Sequence, residues 1–463
     1  MATVYLNRQR KKRLEQGKPW VFDNEVQKIE GEVVSGQLVT VVSHLGQFLA
    51  VGYINPLSKI IVRIVSYEPL EQMDQTFFIE KFRKCQQHRE RFLEDPRSCR
   101  VVYGEADFLP GLIVDRFADV LVVQILTLGM DIHREDIVAA LIEVFQPKGI
   151  YERSDVQIRE LEGLPLTTGV LYGDCPRHVM IVENELQIQV DIWEGQKTGY
   201  FFDQRENRRS IGPLMTGWGK HSGITVKEVP IIGEGEVQTQ TVPVNSNGKI
   251  VTYPYWDGAE VLECFSHSGS FTLNACNYGA KKVTCLDISE HAIESAKHNV
   301  KLNGFEDRVE FVVADAFDYL RRQVKGLEER NLRGGVNGGS GNKKIDTSIP
   351  MGSDGRTWDV VILDPPAFAK TKSAIQGACR GYKDINLHAM KLIKDGGYLV
   401  TASCSYHIRP DLFLETILEA AVDANKILRL VEFRGAGKDH PQILGVDEGH
   451  YLKFAIFEVQ DRK

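Results

Sequence analysis

The sequence predicts an α/β protein of more than one domain, whose C-terminal half is a doubly wound sheet with helices on both faces. Three observations lead there. The run Trp358 to Lys370, WDVVILDPPAFAK, is a short apolar stretch ended by an acid, two prolines and an aromatic, the pattern of a strand buried on both faces. Around it, strand-like and helix-like segments alternate from 260 to 458, as a doubly wound sheet requires. The chain of 463 residues is also too long for one ordinary core, so roughly two to four domains are expected.

Composition narrows the class. With 43% hydrophobic and 26% charged residues and a net charge of −7, the chain reads as a soluble globular protein that does not advertise nucleic-acid binding through its overall sign. Positive clusters nevertheless occur at Arg8, Arg10, Lys11, Lys12 and Arg13, and at Arg205, Arg208 and Arg209. Each is an electrostatic footprint or plain solvated surface. No apolar run approaches the roughly 20 residues of a membrane span, and MATVYLNRQRKKR lacks the apolar core of a signal peptide. A cytoplasmic protein without a membrane partner is expected. The eight cysteines form no CxxC pair, which suggests neither a metal site nor a disulfide framework but reduced thiols.

In chain order, residues 1–72 are β-rich. GQLVTVVSHLGQFLAVGYINP at 36–56 carries two strand-like runs and KIIVRIVS at 59–66 another, while KPWVFDNEV at 18–26 sets Trp20 and Phe22 beside the basic cluster. Together these segments resemble the N-terminal PUA domain of RNA-modifying enzymes, a small β-barrel that docks structured RNA; a barrel without an RNA role is the alternative. Residues 73–193 predict an α+β middle domain. A helix from Met73 to Arg91 places Phe77, Phe78, Phe82 and Cys85 at helical spacings, followed by strands at 100–103, 111–116 and 119–126, a helix at 131–145 and strands near 149–152, 179–184 and 186–192. GEADFLPGLIVDRF, 104–117, resembles the middle domain of the same enzymes, with a small residue expected where Phe108 stands.

The third domain is expected over 194–463. It opens with GQKTGYFFDQRENR, 195–208, a polar and aromatic cluster that lines a cofactor cleft or serves as an interdomain hinge. Two inserts interrupt it. Residues 213–256 alternate like a β-hairpin, with turn formers at Asn245, Ser246, Asn247 and Gly248, while 324–357 hold eight glycines and read as a flexible loop. The sheet itself takes strands at 260–265, 282–287, 309–313, 358–363, 397–403, 427–433 and 452–458, with helices at 270–278, 289–302, 315–322, 383–394 and 410–424.

Acids end three of these strands. EVLECFSHSGSFTLNA, 260–275, is a strand, a small-residue loop and a helix start, and Asp287 lies eighteen residues beyond Gly269 at the end of the next strand. An acid at that spacing takes ribose hydroxyls while the loop lets the backbone approach the ligand. One glycine replaces the three of a dinucleotide fingerprint, so a nucleoside with an amino-acid tail, S-adenosyl-L-methionine, fits better than a pyrophosphate. Asp315 with Ala316 would meet the adenine edge, and Asp364 closes the next strand. Singly, each acid is as well explained as a helix N-cap; the ordered set is more specific. A fifth strand delivers Cys404 among Ser403, Ser405, Tyr406 and His407. A thiolate there, promoted by a positive neighbour such as His407 or Lys370, would activate carbon 5 of cytosine by adding to carbon 6; the alternative is a small buried hydrophobe, the reading given to Cys264 and Cys285.

With CFSHSGSF, LDIS, DAFDYL, DPPAF, GYKDINLHAMKLI and SCS in place, the chain resembles the class I S-adenosylmethionine-dependent 23S ribosomal RNA (cytosine-C5) methyltransferases of the large-subunit methyltransferase I type. The resemblance implies a Rossmann-like, seven-stranded methyltransferase domain behind a PUA-like β-barrel and a small α+β middle domain. It implies large-subunit ribosomal RNA as partner. Tyr200, Gln204, Arg205, Ser266, Gly269, Asp287, Asp315 and Asp364 would surround the cofactor, Pro365, Pro366 and Phe368 would frame the base, and Cys404 would be the nucleophile with Asp364 beside it. Arg8, Arg10 and Lys11 would meet the RNA. The two inserts, Ser270 and Ala402 depart from the family pattern. A base-amine or guanine-nitrogen methyltransferase that uses DPP without a thiol, and a non-catalytic ribosome assembly factor, remain alternatives; a homodimer is left open.

Overall fold

The computed structural model describes residues 1–10, 12–218, 225–232, 237–245, 247–250, 258–334, 354–444 and 446–462. Lys11 and Ser246 therefore lie outside the described residues. The chain divides into two compact units, Met1–Glu206 with Ala436–His450, and Asn207–Gly435 with Tyr451–Lys463. A short return, 436–450, belongs with the first unit.

The first unit begins with strands β1 (Ala2–Leu6), β2 (Trp20–Val21), β3 (Val26–Glu30), β4 (Leu38–Val42), β5 (Phe48–Ile54) and β6 (Val62–Ser66), paired in the order β2-β6-β5-β4-β1-β3. Helix α1 (Gln75–Phe92) starts where the Asp74 carboxylate accepts from the Phe77 N–H at 3.0 Å, an N-cap. It buries Phe78, Phe82 and Cys85, the stripe its sequence spacing predicts. A second sheet follows, ordered β11-β10-β9-β8-β7, from β7 (Ser98–Tyr103), β8 (Leu112–Phe117), β9 (Val120–Ile125), β10 (Gly149–Ser154) and β11 (Thr167–Gly173). The single helix expected at 131–145 is divided into α2 (Leu128–Asp131) and α3 (Arg134–Phe145). Strand β11 was not expected: its TTGVLYG keeps most side chains at least partly exposed, so no buried face marks it. A hairpin, β12 (His178–Glu183) with β13 (Leu186–Asp191), completes the unit. Phe108 has a left-handed φ of 57°, which is why a small residue is expected there.

In the second unit β14 (Thr225–Ile232) and β15 (Val237–Val244) pair with each other as a hairpin, and Val244 also bridges Ile250. The seven-stranded sheet then takes β16 (Glu260–Cys264), β17 (Lys282–Asp287), β18 (Val309–Val313), β19 (Trp358–Leu363), β20 (Ile393–Ser403), β21 (Lys426–Arg434) and β22 (Lys453–Asp461), ordered β18-β17-β16-β19-β20-β22-β21. All pairings from β18 to β20 are parallel, and β22 runs antiparallel between β20 and β21. Helices α4 (Ser270–Asn277), α5 (Glu290–Leu302), α6 (Ala316–Gly334), α7 (Ile375–Leu392) and α8 (Pro410–Asp423) connect them. Strand β19 shows why its sequence is apolar throughout: Val360 and Ile362 belong to one core, Val361 and Leu363 to the other, so both faces are covered.

Two expectations need correction. The insert 324–357 is not a loop over its whole length. Helix α6 continues to Gly334 because Leu320, Val324 and Leu327 extend its apolar stripe against the core. The chain returns with Asp354 bonded to Gln323 at 2.7 Å and Arg356 to Glu310 at 2.8 Å; 335–353 lie outside the described residues. Helix α7 starts at Ile375, eight residues before the expected 383, and β20 takes over at Ile393. Among the described residues, the other insert, 213–256, leaves and rejoins at an antiparallel bridge between Thr216 and Gly258. Replacing residues 219–257 by a short glycine–serine turn should therefore leave melting temperature and cofactor affinity unchanged in calorimetry and titration. A fall in affinity would make the hairpin part of the site.

Candidate active site

The sheet reverses its winding between β16 and β19, since the chain builds outward from β16 to β18 and then resumes at β19 on the other side. Crevices at such a point, beyond the carboxyl ends of the strands, are where open α/β sheets bind ligands. Both predicted loops leave from it side by side: the Asp364 N–H reaches the Cys264 carbonyl at 3.5 Å. Strand β20, next to β19, brings Cys404 to the same edge.

The turn after β16 holds three left-handed residues, Phe265 (φ 63°), His267 (φ 48°) and Gly269 (φ 76°). At the two non-glycine residues that conformation costs about 1–3 kcal/mol each, and at His267 Asp287 offsets part of it. One carboxylate oxygen accepts from the His267 N–H at 2.9 Å and the other from the Ser289 N–H at 2.9 Å. A carboxylate has about four acceptor positions, so capacity remains for a ribose. At Gly269 a Cβ would stand 3.0 Å from that of Ala296; glycine is required by both contact and φ. The Ser266 hydroxyl is buried beside the Cys285 thiol, with no partner at hydrogen-bond geometry, as a group that waits for a ligand would be. Asp315 does what the N-cap alternative says: its Oδ1 accepts from the Asp318 N–H at 3.1 Å and opens α6.

Two residues not singled out from the sequence belong here. Ile288, directly after Asp287, is 67% exposed, an apolar side chain next to that carboxylate. Glu263 is fully buried on β16, accepts from the Thr272 N–H at 2.8 Å and from its hydroxyl, and is pushed up to about 8 by burial, with Asp364 and Asp287 adding to the shift. The crevice thus concentrates negative charge. Ser266, Gly269 and these acids fit S-adenosylmethionine, whose sulfonium and ammonium are both cationic.

On the other side of the crevice Tyr382 of α7 joins the two remaining loops. Its buried hydroxyl accepts from Ser403 at 2.9 Å and shares a hydrogen bond with Ser405 at 2.9 Å, and Ser405 Oγ accepts from the Ala369 N–H at 3.1 Å. The Tyr382 ring packs on Phe368 at 4.6 Å, and Phe368 on Phe317 at 5.8 Å. Held between these anchors, Cys404 is half-buried and its thiol meets the Pro365 carbonyl at 3.7 Å. Pro365 is buried and Pro366 exposed. Cys264 and Cys285 are fully buried, and burial pushes both thiols far up. Of the cations named from the sequence, Lys370 is exposed and His407 packs its ring on Tyr406 at 4.9 Å. A third, Lys453 of β22, was missed because it sits in an apolar strand; it is buried and donates to the carbonyls of Ser405 and Tyr451, each at 2.7 Å.

Comparison with known proteins gives the same division of labour. Residues 4–67 match a PUA-like domain and 256–435 a methyltransferase domain. "Ribosomal RNA large subunit methyltransferase I" of Shewanella amazonensis is 36% identical over 97% of both chains, that of Vibrio parahaemolyticus 36% over 98% of both, and that of Pseudoalteromonas translucida 35% over 99% of both. This chain belongs to the ribosomal RNA large subunit methyltransferase I family. A solved chain from Streptococcus mutans described as a SAM-dependent methyltransferase superposes with a TM-score of 0.70 at 18% identity, over 99% of this chain and 100% of that one; a methyltransferase solved with SAH gives 0.72 at 18% identity and the same coverage. The seven-stranded sheet is thus a SAM-dependent methyltransferase fold. Among the described residues, no helix is long and apolar enough to cross a membrane.

The other predicted residues of this methyltransferase lie in the first unit. Tyr200 is 2% exposed and donates to Glu183 at 3.0 Å; Arg205 pairs with the same carboxylate at 3.5 Å, donates to the Asp95 and Ser98 carbonyls and lies over Phe202; Gln204 is buried beside them. Carboxylates around Arg205 outweigh the burial that opposes its charge and raise its pKa. In the basic cluster, Arg10 is bound by both nitrogens to Glu15 at 2.9 and 2.6 Å, and Arg13 stacks on Phe22 at 4.7 Å. Arg8 and Lys12 are exposed.

Two measurements follow from these contacts. Arg205→Ala takes the guanidinium from a fully buried carboxylate, a change that typically costs about 3–5 kcal/mol, and should lower the denaturation midpoint; an unchanged midpoint would show the pair to be dispensable. Glu263 stands near 8 when folded against an ordinary 4.5, so the folded chain keeps a proton that the unfolded chain loses between those values. Its stabilising contribution is present below that window and lost as pH rises through it. Glu263→Gln should flatten the fall in melting temperature between about pH 5 and about pH 9, and an identical slope in both proteins would mean that Glu263 is ionised when folded.

Proposed function

We propose that this methyltransferase modifies carbon 5 of a cytosine in large-subunit ribosomal RNA, with Cys404 as the nucleophile. The observation that carries the reading is the place of that thiol: half-buried at the carboxyl edge, against the Pro365 carbonyl of the DPP loop. It also weighs against the amine-directed alternative. Methylation of an exocyclic amine would use Asp364 and the adjoining Pro365 carbonyl as acceptors, yet here the carbonyl is met by Cys404. Nothing described favours a non-catalytic assembly factor.

Carbon 5 of cytosine is a weak nucleophile on its own. The Cys404 thiolate adds to carbon 6, forming a C–S bond and moving the electron pair to carbon 5. S-Adenosylmethionine, when bound, supplies the electrophilic methyl group on its sulfonium that carbon 5 takes up. A base then removes the carbon 5 proton, the ring double bond re-forms and the C–S bond breaks, returning the thiolate. We assign Ser266, Gly269, Asp287, Ile288 and Asp315 to the cofactor, and Asp364, Pro365, Pro366 and Phe368 to the border between cofactor and base. The base must leave its stack or come from a loop to lie between thiol and methyl. The PUA-like region would hold the RNA by shape and phosphate contact. Arg10 is bound to Glu15, so Arg8 and Lys12 are the better candidates for that electrostatic part.

The test is incubation with deproteinised ribosomal RNA and labelled S-adenosylmethionine, followed by mass spectrometry of the nucleosides. 5-Methylcytidine is expected from the wild type and should fall below detection with Cys404→Ala, with cofactor binding retained. A methylated guanine or adenine made equally by both proteins would overturn the reading.

A further inference from the structure

The reading of Cys404 as nucleophile leaves a chemical requirement unmet: at neutral pH an ordinary thiol, titrating near 8.5, is only a few per cent thiolate. Something must hold the anion. Titratable groups on the elements around Cys404 include Asp364 and Lys370 on the loop after β19, Tyr382 on α7, Tyr406 and His407 on its own loop, and Tyr451 and Lys453 at the start of β22. Asp364 has the wrong sign. Burial pushes Tyr382 up to about 12, so it stays neutral, and Lys370 is exposed.

Lys453 is different in kind. Its Cα stands opposite Ser403 in the β20–β22 ladder, one residue before Cys404, and its side chain runs inward to the carbonyl of Ser405, one residue after. The Tyr451 carbonyl accepts a second N–H. An ammonium has three N–H donors, so these two backbone carbonyls orient it and one donor remains. A lysine buried to this degree without a carboxylate partner is costly.

We propose that Lys453 is the buried cation that holds Cys404 as a thiolate. The Cys404 thiol gives its proton to the Lys453 amine, leaving a thiolate and an ammonium, and the two carbonyls hold that ammonium in place. Burial lowers Lys453 to about 8 while the Cys404 charge acts in the opposite direction, so the same interaction favours both charged forms. Lys453 is in this account a positioning residue: it touches neither cofactor nor base and acts through the thiol. The inference rests on the proposed role of Cys404.

The thiol itself supplies the readout. Full-length protein, free of cofactor and RNA, is alkylated with iodoacetamide across pH, and the modified Cys404 peptide is quantified by mass spectrometry. The half-buried Cys379 serves as an internal reference. In the wild type the Cys404 midpoint should lie below the ordinary value of about 8.5; a midpoint at or above it overturns the inference without any variant. Lys453→Met should raise the midpoint by about 1–3 pH units while Cys379 stays where it was, and Lys453→Arg should restore it. A midpoint indifferent to both substitutions overturns the inference. The two proposals fail separately. If 5-methylcytidine is the product but the midpoint ignores Lys453, the charge pair is wrong and the reaction stands; if the midpoint follows Lys453 but the product is a methylated amine, the reaction is wrong and the pair remains.

Discussion

The Tyr382 hydroxyl is the point through which the catalytic edge of the second unit is held together. It receives a hydrogen bond from Ser403, shares one with Ser405 and, through Ser405, reaches the backbone of Ala369. Cys404 lies between the two serines, and Phe368 lies against the tyrosine ring. Any one of these bonds is worth only about 1 kcal/mol net, whereas leaving a buried hydroxyl unmet costs about 1–3 kcal/mol. The trio is therefore better understood as a constraint than as a source of stability. It permits one relative placement of the SCS and DPPAFA loops, and that placement puts a thiol on the Pro365 carbonyl.

Charge is sorted across the same crevice. On the cofactor side, Asp287 and Asp364 raise the buried Glu263 toward neutrality, a local excess of negative potential that suits a sulfonium. On the Cys404 side a buried cation, Lys453, is fixed by two carbonyls. Low effective dielectric makes both effects larger than they would be in water. Under the proposed reaction, one sheet edge would hold a cationic methyl donor and an anionic sulfur as neighbours without either surrounding cancelling the other.

Several elements were legible because their local pattern and their tertiary role agree. Strand β19 is apolar along its whole length since both faces are covered, the α1 stripe of Phe78, Phe82 and Cys85 is the face it buries, and the strand-terminal acids follow apolar runs of unmistakable period. Other elements were hidden for equally physical reasons. Strand β11 has little buried face, so nothing periodic reports it. Helix α6 runs on into a glycine-rich segment, where composition masked the continued spacing of Val324 and Leu327. The motif points Arg205 and Tyr200 to the cofactor, but their contacts with Glu183, Asp95, Ser98 and Phe202 become visible only when strands distant in sequence are brought together.

By itself the sequence determined the order of strands and helices in the seven-stranded domain, the presence of a glycine-bearing loop and three strand-terminal acids, and the candidacy of one cysteine among eight. These follow from residue type and spacing, which act over a few neighbours. Tertiary structure decided what each group faces. It showed Asp315 as a helix cap, gave Asp287 the task of holding the left-handed His267, bound Arg10 to Glu15, and set Lys453, more than forty residues from Cys404, beside the same backbone turn. Burial and partnership are properties of the packed sheet, since a side chain's charge state and reach depend on atoms that strand pairing, not sequence proximity, brings near.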